Sequence, residues 1–112
     1  MRLSNLVVLF AICSLMTDAA TSVAATTRIH WRDNFQAAAQ EARGASKPLL
    51  IEFSTSWCGY CKKMQRETFS HTKVVNQIQE CFVPVTLDGD VHHSLVQQMG
   101  VRSYPTTVIV SP

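Results

Sequence analysis

The chain lacks a basic stripe. Its 112 residues carry 10 Lys+Arg against 8 Asp+Glu, a formal net charge of +2, and Lys62-Lys63 is the only adjacent basic pair. A surface suited to a phosphate backbone is therefore excluded, and nucleic acid is not an expected partner. A long apolar run is missing too: a spanning helix needs about 20 apolar residues, and the stretch Leu6 to Met16 is followed closely by Asp18. There are no internal repeats, low-complexity tracts or interdomain linkers, and a chain of this length has room for one domain. Cysteine is sparse, at Cys13, Cys58, Cys61 and Cys81, without the dispersed spacing of a disulfide-stapled scaffold. A hydrophobic share of 46% beside 16% charged residues is ordinary for a globular protein and excludes disorder.

What is present begins with an export pattern. Arg2 supplies a positive start, Leu6 to Met16 a short apolar run and Ser22-Val23-Ala24 a small-residue cleavage pattern, so residues 1–25 are expected to be a secretory signal peptide. The mature part, 26–112, then follows a secretory route: periplasmic in a bacterium, otherwise extracellular or in a secretory lumen, with no membrane association after cleavage. Cys13 leaves with the signal, and three cysteines remain, two of them close together. That pairing suggests chemistry rather than stapling.

The order of elements reads as α/β. Thr26 to Trp31 can form a short edge strand. Asp33 then caps a helix whose face is Phe35, Ala38, Ala39 and Ala42, and Gly44 ends it. Leu49 to Phe53 is a nearly unbroken apolar run, the pattern of a strand buried on both faces of a parallel sheet. A helix is expected from about Cys58 through Met64. Ser70 to Thr72 caps a second, with Val74, Val75, Ile78 and Phe82 on its inner face. Phe82 to Leu87 returns as a strand, which completes a right-handed parallel crossover. Asp88-Gly89-Asp90 turns, Leu95, Val96 and Met99 mark a helix closed by Gly100, and Thr106 to Val110 is a β-branched strand. Met64 and Met99 fit core faces.

Cys58 and Cys61, separated by two residues at a helix start, lie within bridging distance and can open and close a disulfide with little chain movement. Free N–H groups and the positive end of the helix dipole favour an anion at Cys58, making it the nucleophile. Such a pair can equally be half of a zinc site. Its place after a buried strand, inside a crossover unit and ahead of a later X-Pro-Thr segment, favours redox chemistry.

Trp57-Cys58-Gly59-Tyr60-Cys61-Lys62, the strand Leu49 to Phe53 and Tyr104-Pro105-Thr106 together resemble the thioredoxin superfamily, over nearly all of 26–112. Glu67-Thr68-Phe69 and the helix around Val74-Val75 are similar to its exported reductases. The resemblance implies a thioredoxin-like fold, a central mixed sheet flanked by helices. The chain stops at Ser111-Pro112, short of the final strand and helix of such domains, so 26–112 is expected to be C-terminally incomplete.

The resemblance also implies roles. Cys58 attacks, and Cys61, deeper and shielded, resolves; together they form the redox-active disulfide. Pro105 is the cis-proline facing them, and the backbone at Tyr104 pairs with the substrate chain. Trp57 and Tyr60 complete the substrate-binding set. Glu52 stands where thioredoxins have a buried aspartate exchanging protons with the resolving cysteine, and a solvent-facing strand-edge glutamate is the alternative. Gly59-Tyr60 differs from the Gly-Pro of thioredoxin and the Gly-His of protein disulfide isomerase, so neither potential is borrowed. The implied activity is thiol–disulfide exchange on extracytoplasmic proteins, reductase rather than oxidase, with an upstream redox partner and no dissociable cofactor.

Cys81, near a helix end, reads as a small buried hydrophobe. His71, His92 and His93 lack a second ligand pair of recognised spacing, and no metal site is expected. A metal-handling module using the same thiolates is the alternative from another class, and a redox-inactive binding domain a third.

Overall fold

A computed structural model describes residues 27–112. The expected signal peptide, 1–25, lies outside the described residues. The elements run α1 (Phe35–Ala45), β1 (Leu49–Ser54), α2 (Gly59–Glu67), α3 (Thr72–Cys81), β2 (Val83–Asp88), α4 (His93–Gln98) and β3 (Thr106–Val110). The strands form one mixed sheet in the order β2-β1-β3. β1 pairs parallel to β2, with Leu49 opposite Val83, and antiparallel to β3, with Phe53 opposite Thr106.

Alternation along β1 divides the molecule into layers. Leu49, Ile51 and Phe53 join Val83, Val85 and Leu87 on one face, beneath Ala38 and Ala42 of α1, with Leu95 and Val96 of α4 packed alongside. Leu50 faces the other way, in a second cluster with Ile29, Phe69, Val75 and Ile78, against which Met64 and Trp31 pack. Glu52, two residues after Leu50, shares that second face. Burying side chains such as Ile51 and Phe53 completely, both at 0% exposure, stabilises the fold by about 1.5–3 kcal/mol each.

Four details differ from expectation. The cap of α1 is Asn34, not Asp33: Asn34 Oδ1 accepts the Ala37 N–H at 2.9 Å, so the helix starts one residue later. Gly44 does not end it. The helix runs through Gly44 to Ala45 and stops at Ser46, a non-glycine residue with φ 52°, whose N–H reaches the carbonyls of Ala42 and Arg43. Lys47-Pro48 follows at once, and the residue before a proline is pushed out of the helical region. The expected edge strand at Thr26 to Trp31 is absent over its described residues, 27–31; only Arg32 pairs with the sheet, as an isolated parallel bridge to Val85. Its N–H donates to Pro84 O at 3.0 Å and its carbonyl accepts from Thr86 N at 2.9 Å, while Arg32 Nε donates to Glu41 Oε2 at 3.0 Å. Finally, Cys81 is exposed rather than buried, because the inner face of α3 is taken by Val75 and Ile78.

Candidate functional site

The site forms where β1 ends and α2 begins. Ser54 closes the strand, Thr55 to Trp57 turn, and Cys58 is the N-cap of α2, with extended backbone and its Sγ accepting the Cys61 N–H at 3.1 Å. A helix start leaves its first N–H groups without intrahelical partners. Here one of them points at sulfur, the geometry that favours a thiolate at the first cysteine. Cys58 and Cys61 are joined as a disulfide, with Cα atoms 5.3 Å apart.

Exposure was expected to order the two sulfurs, and in this oxidised form it does not: Cys58 is 4% exposed and Cys61 2%. What distinguishes them is place. Cys58 caps the helix and Cys61 lies inside its first turn.

Next to Cys58 in the chain, Trp57 is 67% exposed and is held from two sides. Its Nε1–H donates to Asp90 Oδ2 at 2.8 Å, and its ring meets Tyr104 edge-to-face, centroids 6.1 Å apart. This brings the segment before β3 to the disulfide loop, with the Tyr104–Pro105 peptide bond cis. Tyr60, on the first turn of α2, is 76% exposed and stands out into solvent.

The Tyr104 phenol packs so closely on Gly89 that a Cβ there would overlap it. The Gly89 N–H meanwhile donates to Ser54 O at 2.8 Å, so the backbone has little room to retreat. Gly89→Ala is expected to displace Tyr104 from Trp57 and to cost about 1–3 kcal/mol, the usual penalty of overpacking. Thermal unfolding and Trp57 fluorescence check this, and the cost should be smaller in a Tyr104→Ala background, which removes all the ring atoms that the added Cβ would overlap.

On β1, Glu52 is buried at 0% exposure, not a solvent-facing edge residue. Its Oε2 accepts from Gln65 Nε2 at 3.0 Å, while Oε1 is buried with no partner. Burial pushes the carboxyl up to about 7 from 4.5, and the Gln65 hydrogen bond opposes part of that rise. Gln65 follows Cys61 by four residues on α2, so the two share a helix face, and the carboxyl lies beneath that face.

Three residues of this arrangement escaped sequence reasoning: Gln65, Asp90 and Gly89. The spacing of Gln65 from Cys61 was a readable signal. Nothing local ties Asp90 to Trp57, 33 residues earlier. Among the described residues no group of three or more His, Cys, Asp or Glu is placed to hold a metal, and no helix is long and apolar enough to cross a membrane.

Comparison with known proteins gives a consistent picture. A family pattern described as thioredoxin-like matches residues 30–112. The chain is 30% identical over 79 residues to protein disulfide-isomerase 2-3 of Arabidopsis thaliana, covering 70% of this chain and 17% of that protein. It is 38% identical over 60 residues to protein disulfide-isomerase A6 of Homo sapiens, covering 54% of this chain and 13% of that one. The chain thus spans only a small part of either relative's length. Among solved structures it resembles a DsbH oxidoreductase, with a TM-score of 0.70 at 19% identity over 91% of this chain and 78% of the other, a likeness of fold.

Proposed function

The chain belongs to the thioredoxin-like family whose pattern it matches over residues 30–112, and from that premise we propose that it reduces protein disulfides outside the cytoplasm through Cys58 and Cys61. The observation that carries the reading is the Cys58–Cys61 disulfide at the start of α2, with Cys58 Sγ accepting a helix N–H. The relatives' name, protein disulfide-isomerase, supports a protein disulfide as substrate. The export pattern of residues 1–25 supports the compartment.

The reaction starts from the reduced dithiol. The Cys58 thiolate attacks one sulfur of the substrate disulfide, a mixed disulfide forms, and the first substrate thiolate leaves. The Glu52 carboxylate takes the Cys61 thiol proton; a carboxyl held near 7 is matched to that task at neutral pH. The Cys61 thiolate then attacks Cys58 Sγ, releasing the second substrate thiolate, which is protonated by water. The substrate gains two electrons and the site is left as a disulfide. An upstream dithiol partner must return the electrons, and no dissociable cofactor takes part. Exposed Trp57 and Tyr60 offer apolar contact around the attacked sulfur, and the backbone at Tyr104 and Pro105 supplies hydrogen bonds to an extended substrate segment.

Cys61→Ala tests the reading. Without a resolving thiol the mixed disulfide should accumulate, so reduced variant offered oxidised insulin should form adducts on Cys58 that dithiothreitol releases. Failure to form any adduct, with Cys58 free and the protein folded, would overturn the proposal.

A further inference from the structure

The mechanism assigns Glu52 a proton and leaves open how that proton reaches water. Glu52 is fully buried, between Thr86 of β2 and Thr107 of β3 in the sheet register. Among the described residues, the hydrogen bond from Gln65 is the only one made by its carboxyl. Gln65 itself is exposed. It lines an open cleft of about 290 Å³ bounded by Arg28, Ile29, Trp31, Phe69 and Ser70. A single side chain thus touches the buried carboxyl and lines a surface cleft.

We propose that Gln65 is a positioning residue for disulfide exchange: its amide N–H holds the Glu52 carboxyl beneath the face of α2 that carries Cys61 and beside the Arg28–Ser70 cleft, from which water takes up the carboxyl proton directly. The inference deepens the exchange reading and rests on it. During resolution the Cys61 proton passes to Glu52. The new Cys58–Cys61 bond forms as the substrate–Cys58 bond breaks, and the carboxyl returns its proton through the cleft before the next cycle.

The groups around Glu52 make the effect separable. Thr86 and Thr107 do not titrate. Lys62, Lys63 and Arg66 of α2 are exposed, and Arg28 lies across the cleft; in the disulfide form the Glu52 carboxyl is raised by burial and lowered by the Gln65 hydrogen bond, and Cys61, once reduced, is the titrating group that shares its helix face with Gln65. The hydrogen bond favours the ionised form, so its removal moves ionisation to higher pH.

The experiment measures resolution in a single turnover: a chromophoric thiol is loaded on Cys58 as a mixed disulfide, and its release by Cys61 is followed against pH. Gln65→Leu is expected to shift the acid limb upward by about one pH unit. Release would then be about tenfold slower near pH 6 and nearly equal near pH 9. In a Glu52→Gln background the same substitution should leave the profile in place, which a merely structural role would not predict. Gln65→Asn, which keeps an amide donor, should shift the profile less than leucine does. An unmoved limb in folded Gln65→Leu would overturn the inference while leaving exchange itself intact. A wild-type protein that cannot be loaded or cannot release the thiol would overturn the exchange reading instead.

Discussion

Cys58→Ser is expected to abolish disulfide reduction, lowering the rate by more than about a thousandfold. A hydroxyl at this position is not a thiolate at neutral pH, and the helix N–H at the cap cannot compensate for that. The substitution is nearly isosteric at a residue only 4% exposed, so the fold should survive. Thermal unfolding of the reduced forms would show whether it does. Cys81→Ser provides the contrast. Cys81 is an exposed free thiol, but α3 ends there, and a helix end presents carbonyls rather than N–H groups. Its loss should leave insulin reduction at the wild-type rate. Retained activity in Cys58→Ser, or activity lost with Cys81, would mean that the dithiol has been assigned wrongly.

The elements that sequence showed well are those where pattern and packing agree. Leu49 to Phe53 reads as a doubly buried strand because both its faces meet helices. Thr106 to Val110 reads as a strand from β-branching although it lies at the sheet edge. The cysteine pair was legible with its helix, since N-cap geometry depends on the few residues around Cys58. Choices between equivalents were not legible. Asp33 and Asn34 are both good caps, and only the register that buries Ala38 and Ala42 selects the second. Gly44 is the natural terminator, yet Pro48 determines where the helix must stop, and Ser46 takes the left-handed position instead. Contacts across the sheet were hidden for another reason: the bond from Trp57 to Asp90 and the fit of Tyr104 on Gly89 depend on how distant segments converge. Cys81 shows the limit of residue averages. A free cysteine is usually buried, but its side of α3 faces water.

Glu52→Gln should make the protein more stable at alkaline pH and slower at its chemistry. The folded carboxyl titrates near 7 against 4.5 when unperturbed, and the leading cause is burial. Between those values the folded chain binds a proton that the unfolded chain releases, so this group's contribution to stability is fully present below about 4.5 and is lost as pH rises through about 7. At pH 8 the ionised carboxylate costs about 3 kcal/mol, by the conversion of 1.36 kcal/mol per pH unit. Glutamine is nearly isosteric with the protonated acid and never ionises. Unfolding by urea at pH 5 should therefore differ little between the two proteins, whereas at pH 8 the variant should be the more stable by a few kcal/mol. On the proposed mechanism the same substitution removes the acceptor for the Cys61 proton, so resolution of a mixed disulfide on Cys58 should slow by about 10²-fold or more, the usual contribution of a general base. Equal stability of the two proteins at pH 8 would show that the carboxyl is not ionised there. Unchanged resolution would show that Cys61 loses its proton to another acceptor.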